Sequence, residues 1–160
     1  MITQPASTHL AQLNVGRSRY ATDDPRMAEF MGALDRVNAL AERSPGFVWR
    51  LQSDAGNATD IKLTEDPQFI VNLSVWEAPE QFEHFVWNTV HKRFYERKSN
   101  WFEAKSAPHF VTWWVPAGHL PSPQEALGRL AHLTEHGPGA HAFGWESLPN
   151  VEALMSQRCA

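Results

Sequence analysis

Polar and apolar residues alternate along HLAQLNVGR, residues 9 to 17, with His9, Ala11, Leu13 and Val15 against Leu10, Gln12, Asn14 and Gly16. That period of two predicts a half-buried strand. Asp24 before Pro25 reads as an N-cap and first helical position, and Met27, Phe30, Met31, Leu34, Val37 and Ala41 then recur at helical spacing as far as Pro45 and Gly46. FVWRLQ, residues 47 to 52, and FIVNLSVW, residues 69 to 76, are the second and third strands. The polar, acidic stretch between them is long for a compact domain, so it is functional or mobile. Mobility is the expectation, with residues 61 to 63 as a short strand extension. Pro79 and Glu80 open a second helical region whose stripe is Phe82, Phe85, Val86, Val90 and Phe94, with breaks near Asn88 and Ser99. HFVTWWV, residues 109 to 115, is the fourth strand, stopped by Pro116 and Gly118. Ser122 to Glu125 has the form of a capping box, and Leu127, Leu130 and Leu133 carry a third helix to Gly137 and Pro138. Its stripe is narrow, which predicts peripheral packing. Residues 141 to 146 read as a short edge strand or extended arm, and residues 151 to 160 as a disordered tail.

Strand, helix, strand, strand, helix, strand, with an appended C-terminal helix, is the order of a ferredoxin-like βαββαβ fold of the α+β class. Residues 1 to 150 are expected to form that one domain. Helices then cover one sheet face, and the parities say what the other needs. One face collects Ala11, Leu13, Val15, Phe47, Trp49, Leu51, Phe69, Val71, Leu73, Val75, Val111, Trp113 and Val115, and is almost wholly apolar. The other collects Gln12, Asn14, Val48, Arg50, Gln52, Ile70, Asn72, Ser74, Trp76, Phe110, Thr112 and Trp114. An apolar face of that size exceeds what soluble monomers leave wet. It predicts a homodimer built through sheet faces, with the mixed face under the helices. The inverse, a polar face lining a barrel interior, stays open. The adjacent Trp113 and Trp114 point to opposite faces, so both faces have covers.

Composition narrows the classes. The 160 residues carry 42% hydrophobic and 20% charged side chains, a globular balance. A formal net charge of -4 with scattered Lys and Arg gives neither a nucleic-acid footprint nor a polybasic membrane patch. The lone Cys159 allows no intrachain disulfide, and no leader or 18-residue apolar run is seen, so the cytoplasm is the expected compartment. No phosphate loop, nucleophile elbow or dinucleotide fingerprint occurs.

Asn14 in LAQLNVGR and Asn72 with Trp76 in NLSVWEAPEQF resemble the dimeric α+β barrel superfamily, which includes antibiotic-biosynthesis-type monooxygenases and heme-degrading enzymes. SPGFVWRLQ, HFVTWWVPAGHLPS and VHKRFYERKSNWF make the whole chain resemble a bacterial branch of unknown function within it. The resemblance covers about residues 8 to 116. It implies a homodimer with an aromatic-lined pocket between sheet and helices that binds an apolar or aromatic small molecule. In the monooxygenase branch Asn72 would hydrogen-bond a substrate oxygen as negative charge develops, and Trp76 would wall the ring. Asn14 and Arg50 share their face, as a second donor and a counter-charge. Such oxygenation uses no cofactor and needs preorganised donors in a dry site.

His91 lies four residues from Trp87 and four before Tyr95, so the three share one helix flank. An imidazole there is a candidate general base near neutral pH. Trp87, Tyr95, Trp101, Phe85 and Trp114 complete the expected aromatic lining. Each has a plainer alternative: Asn72 satisfying the backbone, Trp76 in the core, His91 bonding across a subunit boundary, Trp101 anchoring its helix. The heme-degrading relatives imply heme as a further cofactor reading, with Asn14 in place but the ligand position falling near Tyr95 instead of His91. His132 and His136, with His141 nearby, have metal-capable spacing but no acidic or thiol partner in the sequence, and no metal is expected. A non-catalytic binding or accessory protein is the alternative to an enzyme.

Overall fold

The structure is a computed structural model. It describes residues 1–104 and 107–149, with the side chains of Val90 and His91 left outside the description. The expected tail, and the side chain of the residue expected as base, therefore lie outside the description.

Four strands, β1 (Thr8–Arg17), β2 (Phe47–Arg50), β3 (Phe69–Trp76) and β4 (Phe110–Pro116), form one antiparallel sheet in the order β2-β3-β1-β4. Helix α1 (Ala28–Arg43) joins β1 to β2, while α2 (Pro79–Asn88) and α3 (Val90–Glu96) join β3 to β4. This is the ferredoxin-like βαββαβ subunit, with α4 (Pro123–His136) appended. Asp24 caps a 3-10 turn, Pro25–Met27, before α1 begins. The helical break after Asn88 falls where expected, and a second short turn occupies Lys98–Asn100.

The layers depart from expectation on the apolar face. Ala11, Leu13, Val71, Leu73, Val75, Val111, Trp113 and Val115 are buried within the chain itself, under Ala126, Leu127, Leu130 and Leu133 of α4 and Ala58, Ile61 and Leu63 of the connection after β2. A narrow stripe suffices because the sheet offers a flat apolar floor and the connection fills the remainder. Helix α4 is thus a covering layer, not a peripheral one, and a homodimer through this sheet face would have to displace it. Residues 61 to 63 form no strand; the connection is instead tied to β1 through Arg17, whose guanidinium meets Asp66 at 2.7 Å and Glu103 at 2.8 Å.

Parity fails at one place. Phe47 pairs with Trp76 and Trp49 with Val75, so a bulge at Val48 turns Phe47 to the helix side and Val48 toward the α4 side. An inserted residue reverses the alternation on one side of it. The helix side buries Leu10, Trp76, Phe82, Phe85, Val86 and Trp87, closed at the β4 edge by Phe143, Trp145 and Leu148. Phe143 bridges Thr112 through N–H and C=O, bearing out the extended arm and capping the sheet edge.

Candidate functional site

The residues expected to line a pocket separate into a filled region and an open one. Trp76 is 1% exposed. Its ring lies 5.5 Å from Phe47, 5.4 Å from Phe82 and 5.3 Å from Phe85, and its Nε1–H donates to Ser74 Oγ at 3.0 Å. It is a core ring with a satisfied N–H, so it walls the aromatic core and not an open cavity. Trp87 meets Tyr95 edge-on at 4.9 Å in the same layer. Trp114 lies against Phe143 at 5.3 Å, with its Nε1 buried. Trp101 is set apart: it packs with Phe30 of α1 and Phe94 of α3, as a helix anchor does.

The open region is four residues back along β3. Asn72 is exposed although β3 is an inner strand. Asn14 stands directly opposite it on β1 and Phe110 opposite Asn14 on β4, so Asn72, Asn14 and Phe110 form one row across the helix side. Asn72 Oδ1 accepts a hydrogen bond from Gln12 Nε2 at 2.7 Å. Arg50 shares this side but its charge is already matched: Nε lies 2.8 Å from Glu42 Oε1 of α1, and Nη2 reaches Gln52 Oε1 at 3.3 Å. As counter-charge for a bound anion it would first have to leave Glu42.

This shelf offers two carboxamides with a buried polar row, Gln12 and Ser74, behind them and an aromatic wall alongside. Such an arrangement donates hydrogen bonds to an oxygen set down on it. The sequence placed Gln12 on the right face without marking it as part of the site; only the register, which sets Gln12 against Ser74, reveals the connection. Glu83 of α2, at 7% exposure, is the one ionisable side chain in the buried set among the described residues, beside Phe82 in the apolar stripe.

A concavity of about 390 Å³ opens apart from this shelf, at the start of β4 between the end of α4 and the arm, with His109, Phe110, Leu133, Trp145 and Glu146 among its walls. Trp145 stacks on Phe110 at 5.2 Å and on Phe82 at 5.0 Å, so this groove backs onto the aromatic core. The histidines of α4 come together, His132 lying 4.5 Å ring to ring from both His136 and His141. Burial, then the positive charges of Arg129 and His132, hold His141 below its usual pKa. Even so, no group of metal-ligating side chains suited to an ion occurs among the described residues. Nor is any helix among them long and apolar enough to cross a membrane.

Two solved structures share similarity with the chain. One is a protein of unknown function from Nitrosomonas europaea, 12% identical, with a TM-score of 0.47, covering 74% of this chain and 99% of that one. The other is a candidate antibiotic biosynthesis monooxygenase from Nitrosomonas europaea, 16% identical, with a TM-score of 0.43, covering 74% of this chain and 96% of that one. No curated protein matches the sequence. A family description, "Domain of unknown function (DUF3291)", matches residues 9–159, and the chain belongs to that family.

Proposed function

We propose that the chain binds a small, flat, apolar molecule carrying a carbonyl or phenolate oxygen, with the oxygen on the Asn72 amide and the body against the neighbouring aromatic layer. The observation that carries this is an exposed carboxamide on an inner strand whose own oxygen is already engaged by Gln12. Its nitrogen end is then a donor without competition from within the site. A donor so fixed stabilises negative charge developing on a ligand oxygen, worth on the order of 3 kcal/mol where it acts on a transition state. This supports a cofactor-independent, monooxygenase-like enzyme in which the bound molecule reacts with oxygen as its enolate or phenolate. His91 on α3 is the base nominated by the sequence.

A second reading, a binding or accessory protein that leaves its ligand unchanged, is favoured by the commitments of Trp76 to Ser74 and of Arg50 to Glu42. Aerobic incubation with phenols and aromatic ketones, followed by product analysis, separates the two. The enzyme reading expects oxygenated product, lost on the order of 100-fold in Asn72→Ala and reduced in His91→Ala. Bound compound recovered intact, or turnover indifferent to both substitutions, removes the enzyme reading.

A further inference from the structure

We propose that Gln12 is a positioning residue that decides which end of the Asn72 amide faces a ligand; the proposal rests on the reading that ligands bind over Asn72. Four side chains on the helix side of the sheet form a single chain of hydrogen bonds. Trp76 Nε1–H, which can only donate, bonds to Ser74 Oγ at 3.0 Å. Gln12 Nε2 gives one hydrogen to the same oxygen at 2.7 Å and its other to Asn72 Oδ1 at 2.7 Å. Both hydrogens of that amide nitrogen are therefore used. Gln12 is 2% exposed and sits directly opposite Ser74 on the neighbouring strand, so its bond to Ser74 is buried away from bulk water while Asn72 stays exposed.

An isolated asparagine amide turns either end outward with little penalty, because its terminal torsion is broad and roughly two-fold. Here the carbonyl end is held on the buried side and the Nδ2H2 end is left for the exposed side. Asn72 with Trp76 carries no such instruction by itself, since the direction is imposed from β1. The shelf accordingly selects ligands that bring an acceptor oxygen and discriminates against ligands that bring only a donor. Inverting the hydrogen-bonding character of residue 12 inverts that preference.

The test uses the full-length chain, labelled with 15N, and two neutral probes: acetophenone, which only accepts, and indole, whose N–H only donates. Binding is read from the chemical shifts of the Asn72 side-chain amide, assigned by its loss in Asn72→Asp. The wild-type chain is expected to bind acetophenone about tenfold more tightly than indole, the worth of one hydrogen bond of about 1.4 kcal/mol. Gln12→Glu introduces a group that only accepts, so Asn72 must donate inward, and the order of the two probes reverses. Gln12→Met keeps the length without the hydrogen bonds and levels the two affinities. An unchanged order in the variants overturns the proposal, and Gln12→Met alone decides it if the buried carboxylate prevents folding. Should neither probe bind the wild-type chain, the ligand reading fails and the free protein decides the role of Gln12. In Gln12→Met the Asn72 amide pair and the Trp76 Nε1–H resonance shift together if the relay exists, and their constancy refutes it.

Discussion

The indole N–H of Trp113 donates to Glu125 Oε1 at 3.2 Å, joining the middle of β4 to the first turn of α4. Trp113 is wholly buried, and its one polar atom finds its partner in the helix that covers it. The capping sequence at residues 122 to 125 works by half: Ser122 Oγ accepts from the Glu125 N–H at 3.1 Å, while the Glu125 carboxylate turns to Trp113 and to His119 Nε2 at 2.8 Å. A residue read as a local helix signal thus also fixes the helix to the sheet.

Replacing Trp113 with Phe keeps most of the apolar volume and leaves Glu125 without its indole donor. The expected loss is about 1 kcal/mol of unfolding free energy for the hydrogen bond. Trp113→Ala, which empties the floor beneath α4, is expected to cost about 3–5 kcal/mol. Urea denaturation of both variants measures the difference.

Acid should loosen the same contact. Burial opposes ionisation of Glu125, but the hydrogen bonds from His119 and Trp113 and the charges of His119 and Arg129 outweigh it and hold the carboxyl below its usual pKa. A carboxyl depressed in the folded state contributes stability that is complete above its unfolded pKa, roughly 4.3, and is lost as pH falls through the lower folded value. Stability of the wild-type chain is therefore expected to fall more steeply below pH ~4 than that of Glu125→Gln. Parallel slopes would remove Glu125 from the account.

Gly46 has φ +82°, and a side chain there would fall on the Gln81 carboxamide of α2. Gly46→Ala is expected to destabilise by more than about 1 kcal/mol, through the left-handed backbone and the clash together. Adding Gln81→Ala removes the carboxamide but keeps its Cβ, 2.7 Å from the new methyl, so it relieves only part of the clash and the double variant is expected to lie between the single one and wild type in thermal unfolding.

The cover on the apolar face has its own test. Deleting residues 119 to 160 removes α4 and uncovers Trp113, Val111 and Leu13. The truncated chain is expected to bind a hydrophobic dye and self-associate at concentrations where the full chain does neither. Leu133→Ala, at a site 8% exposed, is expected to cost about 2–5 kcal/mol without changing oligomeric state.

How far the sequence spoke depended on whether the deciding interaction was local. Strict alternation located β1, β3 and β4, and the start of α4 was written in Ser122 and Glu125. Parity then misplaced Phe47, because a bulge depends on strand pairing and leaves no composition signal. The same reasoning inferred a second subunit over the apolar face, since a stripe of Leu127, Leu130 and Leu133 is too narrow to cover it until the connection carrying Ala58, Ile61 and Leu63 is folded beside it. At the site, Asn72 and Asn14 do meet across the sheet, but the expected open wall at Trp76 is closed by Phe47, Phe82 and Phe85. Gln12 acts through a register no single-strand pattern contains.

The most direct test of the central claim is where a ligand goes. Titrating the 15N-labelled chain with acetophenone and following every resolved resonance gives that location residue by residue. The largest shifts are expected at the Asn72 and Asn14 side-chain amides, with smaller ones at Gln12. Shifts centred instead on His109, Trp145 and Glu146, with Asn72 unmoved, would place binding in the groove beside the arm and contradict the assignment of the shelf as the functional site.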